Sequence, residues 1–374
     1  MRYCVLYLKT KNVNLVKDMG MIPYKLFRLF GYDSSVASYE NDDFTYLKEE
    51  VAGLKVDLVK KVFNNYTIDG MLYLIKKARK IDVLQIFHTT LSSVVYAYTY
   101  KILNPKGKLY IKLDCSHKLP ERINTLNKIQ FKMLNNFFDK ADLISVEQNN
   151  LFIKLKEMMP RQSKKMIRVS NGIDYDYYME NNIYYDYAEK ENIILNVARI
   201  GAPEKNTEML LEAFSKIKNI DKLNWKLICV GEIEKGYNKY IETFYEKYPK
   251  LKEKVIFKGT IDDRNALFEE YRKAKIFCLT SMFESFGFAF IEAASLGDVI
   301  VSTDVGIAKE IVEKAGGAVV PSENIEELTL KLTEFMEKSS LKEYADKSSD
   351  LCKEDFDWNK IITYLDKSIK SLFS

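Results

Sequence analysis

Short apolar runs alternate with longer amphipathic stretches along this chain, and the pattern runs through twice. In the first half the runs are residues 2–8, 35–39, 82–87, 108–113, 142–146 and 166–170. In the second they are 193–198, 226–230, 255–258, 276–280, 299–302 and 318–320. Between them, stretches such as 207–217, 238–248, 264–273 and 290–296 carry a helical period. Strands that alternate with helices in this way build parallel sheets wrapped by helices. The expected class is therefore α/β, with two Rossmann-like domains facing each other across a cleft. A length of 374 residues is too great for one ordinary core and suits two.

The expected boundaries follow from where periodicity fails. Residues 1–170 form the first domain. A Tyr- and Asn-rich stretch opened by the Asn171-Gly172 turn signal makes 171–190 a hinge. Residues 191–355 form the second domain, and 356–374 an amphipathic helix able to cross back onto the first. No internal repeat of fixed period interrupts this plan.

Hydrophobic residues make up 47% and charged residues 29%, the balance of a folded chain. The N-terminal MRYCVLYLKTKNVN reads as a first strand rather than a signal peptide, and no apolar run is long enough to span a membrane. The 5 cysteines are scattered and never spaced as CxxC, which fits a reducing, cytoplasmic setting and argues against a zinc site. Charge is uneven: residues 1–170 carry 29 Lys and Arg against 16 Asp and Glu, while the remainder is net acidic. A basic front half either seeks an anionic neighbour, such as an acidic membrane face or lipid phosphate, or simply solvates its helices with lysine.

The segment with the most chemistry in it is IFCLTSMFESFGFAFIEAASLGDVIVSTDVGIAKEIV, residues 276–312. A buried strand is expected to end at Thr280, with a loop at 281–286 leading to Gly287 and a helix. Such a junction aims unpaired N–H groups and the positive end of a helix dipole beyond the carboxyl edge of the sheet, a ready site for phosphate. Gly287 allows close approach to the backbone. Glu284 stands before the junction and Glu292 after it, where a carboxylate can accept both hydroxyls of a ribose. The spacing alone is weak, since Glu204/Glu212 and Glu234/Glu242 share it. The pair set astride a glycine junction is the distinguishing feature.

Glu284-Ser-Phe-Gly-Phe-Ala-Phe-Ile-Glu292 resembles the E-x-F-G-x-x-x-x-E motif of retaining GT-B glycosyltransferases, in particular family 4 of the nucleotide-sugar transferases. Flanking pieces are similar too. NVARIGAPEKNTEMLLEAF resembles the family's diphosphate segment, which implies that role for Arg199 and Lys205. KVIFKGTIDDRNALF resembles its base-binding loop, implying Gly259, Thr260 and Ile261 beside the nucleobase, with Phe286, Gly287 and Phe288 lining the donor site. VSTDVGIAKEIV and MIRVSNGID match the family's Gly–x–x–Glu and hinge segments, with Ser170 where proline is common. The resemblance covers about residues 166–320 and is thin before them.

Its implications are a nucleotide-diphosphate sugar of UDP or GDP type as co-substrate, and retention of configuration. Fixed cations take the place of a metal. The reaction is then hexosyl transfer to a glycan or lipid-linked acceptor, in the synthesis of surface polysaccharide or glycoconjugate. Cations on a leaving diphosphate stabilise the transition state more than the ground state. In the first domain Gly20 is expected to admit the donor phosphate in a loop, and His88, ending an apolar run, to meet the acceptor. Where family members often place a catalytic histidine stands Asp114, with His117 three residues on; either is a candidate to meet substrate. Asp174-Tyr-Asp176 and Asp355-Phe-Asp357 imitate a metal motif of the other transferase fold and read as chance. Residues 24–32, YKLFRLFGY, either touch lipid headgroups or, preferably, pack into the core. Nucleic acid is not expected as a partner. The rivals are a nucleotide-sugar epimerase of the same architecture and a non-catalytic partner subunit.

Overall fold

Thirteen strands pair in parallel into two separate sheets. The computed structural model describes residues 1–374 as two units, Met1–Asn171 with Trp358–Ser374, and Gly172–Asp357. The first sheet contains β1 (Arg2–Leu6), β2 (Asp33–Ser38), β3 (Lys55–Leu58), β4 (Val83–Phe87), β5 (Lys108–Leu113), β6 (Leu143–Val146) and β7 (Met166–Arg168), in the order β3-β2-β1-β4-β5-β6-β7. The second contains β8 (Glu191–Val197), β9 (Lys226–Val230), β10 (Val255–Gly259), β11 (Ala274–Phe277), β12 (Val299–Thr303) and β13 (Ala318–Val320), in the order β10-β9-β8-β11-β12-β13. Each order reverses direction once, between β1 and β4 and between β8 and β11. Ligands of doubly wound sheets bind beyond the carboxyl ends of the strands at such a switch point. The α/β class expected from the alternating pattern, with a parallel sheet in each of two units, is the one found.

Two local expectations differ. β3 is absent from the apolar runs because KVDL is a half-exposed edge strand, with charged residues where a central strand needs apolar ones. β11 stops at Phe277 rather than Thr280; beyond it the Cys278 N–H donates to Leu195 O at 2.8 Å and the Leu279 carbonyl accepts the Thr303 N–H at 3.1 Å. Thr280 is thereby released to the loop.

The last helix, Trp358–Ser371, belongs to the first unit. Trp358, Ile361, Ile362, Leu365 and Ile369 repeat at helical spacing and pack with Tyr3, Ile22, Leu26 and Tyr32, while the Tyr32 hydroxyl donates to Asp366 at 2.7 Å. Residues 24–32 therefore lie against this core, with Leu26 fully buried and only Leu29 among their leucines exposed.

Of residues 171–190, expected as a hinge, Asn171 belongs to the first unit and 172–190 fold into the second. Ile173 and Tyr178 join its core, and Tyr178 shares a hydrogen bond with Ser295. Tyrosines buried one at a time give no amphipathic period, so the sequence pattern concealed this packing. At the end of the stretch the Lys190 ammonium, fully buried, donates to Asp298 at 2.5 Å and to the Tyr271 carbonyl at 3.0 Å.

Candidate active site

Two loops leave the strands that flank the second switch point, and the structure stitches them together. After β8 the chain runs through Ala198, Arg199 and Gly201 to a 3-10 turn at Pro203–Lys205 and the helix Thr207–Ser215. After β11 it runs through Thr280 and Ser281 to Glu284 and Gly287. Thr280 Oγ1 donates to the carbonyls of Lys205 (3.2 Å) and Asn206 (2.8 Å), and the Met282 N–H to Glu204 O at 2.8 Å. The result sets Lys205 Nζ 2.5 Å from Glu284 Oε1, which also accepts from Ser281 Oγ at 2.8 Å. Arg199 lies on the same loop, half exposed, paired with Glu204 and, at 3.2 Å, with Glu234. Its guanidinium keeps an open face to solvent while its position is held from two sides.

Gly287 caps the helix Phe288–Ser295 with φ of +84°, a conformation that costs most residues energy. A Cβ there would meet the Phe290 ring at 2.6 Å, so the glycine serves the tight entry into the helix. Helix starts lack intrahelical acceptors for their first N–H groups; here the Phe290 N–H turns back to the Gly287 carbonyl at 3.0 Å. From the following loop, Gly306 (φ +57°) lies so close that a Cβ would stand 2.3 Å from Phe286 O, and the Ile307 N–H donates to that carbonyl at 2.9 Å. Phe286 is buried edge-on to Phe288 and Phe356. Gly306→Ala is accordingly expected to cost about 1–3 kcal/mol in urea denaturation and to disturb the 284–287 loop, lowering its function as well.

Glu292 stands in the second turn of this helix and accepts from the Tyr271 hydroxyl at 3.1 Å. Burial, and then the neighbouring Glu292 charge, push the Tyr271 phenol well above its ordinary range, so it remains a donor. Thr260 and Ile261 follow β10, Thr260 exposed and Ile261 partly packed on the core. Gly259 before them turns with φ of +69° and accepts the Gly231 N–H at 2.8 Å. Arg199, Lys205, Glu284, Gly287, Glu292 and the 260–261 loop thus all lie within one unit, around the carboxyl ends of its strands.

The residues chosen in the first unit divide. His88 ends β4 with φ of +59°, rare for a residue with a side chain, and its Nδ1 lies 3.1 Å from the Asp114 carbonyl. Asp114, one residue past β5, is therefore brought to His88. His117 sits at the start of the helix Lys118–Asn124, exposed. Gly20 is not in a loop: it is the third residue of the helix Asp18–Phe30, with its N–H bonded to Lys17 O at 3.1 Å. A Cβ on it would fall 2.1 Å from Leu15 O, so close chain packing accounts for this glycine.

Three buried charged residues escaped the sequence reading. Lys112 on β5 pairs with Glu147, just past β6, and lies 3.4 Å from Asp18 at the helix start after β1; Asn171 donates to Glu147 at 2.9 Å. Burial raises both carboxyls above their usual range, Glu147 well above. It also disfavours the Lys112 charge, yet the two carboxylates more than offset that and hold its ammonium above the ordinary value. The signal was available: a lysine inside the apolar run KLYIKL and a glutamate directly after LISV. Of the motif look-alikes, Asp174 caps the helix Tyr175–Glu180 and Asp355 pairs with Lys314 at 2.6 Å.

Residues 185–350, within the second unit, match the family described as glycosyl transferases group 1. A probable sucrose-phosphate synthase of Thermosipho melanesiensis is 32% identical over 146 residues, which is 38% of this chain and 34% of that protein. The serotype-specific mannosyltransferase WbdA of Escherichia coli is 22% identical over 182 residues, 47% of this chain and 22% of that protein. The chain spans about a third or less of the length of these curated relatives. Among solved structures, Alr3699/HepE of Anabaena in complex with UDP superposes with a TM-score of 0.77 at 16% identity, over 99% of this chain and 100% of that one. That likeness shows the fold: two Rossmann-like units of GT-B type.

Proposed function

We propose that the chain is a glycosyltransferase which moves a sugar, with retention, from a UDP- or GDP-type nucleotide sugar to a glycan or lipid-linked acceptor. The observation that carries the reading is the Lys205–Glu284 pair at 2.5 Å, beside the helix that starts after Gly287 and at the switch point of its sheet. A cation and a carboxylate satisfy one another there until a substrate arrives bearing both a diphosphate and sugar hydroxyls. The diphosphate takes Lys205, and the freed Glu284 accepts hydrogen bonds from the sugar. Arg199 and the N–H groups at the helix start share the phosphate charge. Glu292 holds the ribose diol, Thr260 and Ile261 flank the base, and Phe286 and Phe288 shape the donor site. Positive charge that is fixed before the bond breaks stabilises the leaving diphosphate without reorganisation, so no metal is needed. In the first unit His88 meets the acceptor, and Asp114 or His117 takes the catalytic place beside the donor sugar. The family match over 185–350 and relatives named as sugar transferases support the same reading.

Calorimetric titration of UDP and GDP in excess EDTA tests it. One of the two is expected to bind the wild type. Arg199→Ala and Glu292→Ala are each expected to weaken that affinity by about tenfold, the loss of one charge-assisted contact of roughly 1.5 kcal/mol. Binding that needs a divalent ion, or that both variants retain in full, would sink the assignment.

A further inference from the structure

We propose that the first unit binds the hydrocarbon chain of a phosphate-bearing lipid in an apolar groove between its helices Leu91–Leu103, Lys118–Asn124 and Lys128–Lys140. The inference rests on the transferase reading and narrows its acceptor to that class. The groove encloses about 520 Å³, within the ordinary range for a ligand site. Its floor is the buried pair Ile123 and Phe137, and its walls include Val94, Tyr98 and Met133.

The apolar surface does not stop at the walls. Leu91 lies on the same helical face as Val94 and Tyr98, and Ile129 one turn before Met133. These three are the exposed ones, at 74% for Leu91, 73% for Ile129 and 65% for Met133. Single exposed apolar residues need no explanation, but a contiguous stripe around a groove marks a surface that something covers.

The charge of the segment that supplies most of the lining points to the occupant. Residues 115–140 carry five basic side chains, Lys118, Arg122, Lys128, Lys132 and Lys140, against two acidic ones, Glu121 and Asp139. Asp139 is already neutralised by Arg161 at 2.5 Å, and Lys140 stands over the Tyr98 ring at 5.0 Å. Arg122 lines the groove itself. A neutral lipid has no use for these cations, and a free anion has no use for the apolar trough; a hydrocarbon chain ending in phosphate uses both. Thr89, which lines the groove, directly follows His88, whose ring bonds the Asp114 carbonyl beyond β4 and β5. A chain lying in the trough thus has its polar end available to the sheet edge where His88 and Asp114 stand.

The full-length chain is titrated calorimetrically with farnesyl phosphate below its micelle concentration, with farnesol and inorganic phosphate as separate arms, and UDP and GDP alongside. Farnesyl phosphate is expected to bind at least about tenfold more tightly than either arm. Met133→Glu, at an exposed site that folding tolerates, and Arg122→Glu are each expected to weaken it at least about tenfold while nucleotide binding is unchanged. The proposal is overturned by failure of farnesyl phosphate to bind, by equal binding in both variants, or by inorganic phosphate binding as tightly. A dimer in sedimentation that Met133→Glu dissociates overturns it too, since a second copy would then cover the groove. Farnesyl phosphate binding to a protein that ignores both nucleotides upholds the groove and defeats the transferase reading instead.

Discussion

Glu284→Gln is expected to melt with the parent protein and to lose transfer by about 10²–10³-fold in kcat, the scale measured when one preorganised electrostatic contact is removed from a transition state. The substitution keeps the size of the side chain and the hydrogen bond from Ser281 Oγ at 2.8 Å. It removes the charge that Lys205 meets at 2.5 Å and that the proposed sugar would meet in its place. Lys205→Met tests the other half. It leaves Glu284 on Ser281 but takes away the point charge assigned to the leaving diphosphate, so both nucleotide affinity and kcat should fall. Initial rates with a panel of UDP- and GDP-sugars, beside a thermal melt followed by circular dichroism, decide the matter. An undiminished rate in Glu284→Gln would clear that residue of any part in the chemistry. A melting temperature far below the parent would show instead that the pair is a structural one.

The largest stability effect is expected at Lys190. Lys190→Met strands the Asp298 carboxyl, whose side chain is 0% exposed, and removes one of two donors from the Tyr271 carbonyl, which keeps the Ala274 N–H at the end of the helix Arg264–Lys273. Losing one partner of a buried pair costs about 3–5 kcal/mol, whereas replacing both by apolar residues is close to neutral. The double variant Lys190→Met with Asp298→Val should therefore recover most of the loss. Burial already pushes the Asp298 carboxyl up to about 7, with Lys190 drawing it back, and lowers the Lys190 ammonium.

A folded value above the unfolded one means that the native state holds the proton more tightly. That contribution to stability is complete below about pH 4 and is lost as pH rises through the folded value. The penalty in Lys190→Met should accordingly be larger at pH 8 than at pH 5, because a carboxyl without an ammonium escapes its burial only by keeping a proton. The chain has 2 tryptophans, Trp225 in the second unit and Trp358 in the first. In a Trp358→Phe background, urea unfolding followed by Trp225 fluorescence reports the affected unit alone. Equal stability of Lys190→Met and wild type at pH 8 would refute the account.

Most of the donor-side candidates were legible before any coordinates, because they depend on contiguous chain. A strand, a short loop with glycine and a helix dictate where N–H groups point, and Glu284, Gly287 and Glu292 sit within one such unit. The partnerships were not legible. Glu284 and Lys205 are 79 residues apart, and only the adjacency of β8 and β11 across the switch point brings them within hydrogen-bond reach. Gly20 shows the opposite error: a glycine near a first strand reads as an opening for phosphate, yet its hydrogen is what lets Leu15 O pass at close range. Lys112 and Glu147 were missed because single charged residues in or beside apolar runs look like strand ends until their strands are ordered side by side, and Asp18 because it opens a helix outside every run.

The amino-acid order by itself determined the α/β class, the doubling of the sheet and the local shape of the Glu284–Glu292 junction. Apolar periodicity and backbone sterics act over a few residues and need no distant partner. The tertiary structure alone decided which charges meet. It also assigned the helix Trp358–Ser371 to the first unit and the tyrosine-rich 172–190 stretch to the core of the second. Each of those outcomes is a competition between burial sites far apart in the chain, and only the completed packing of both sheets settles which surface a side chain covers.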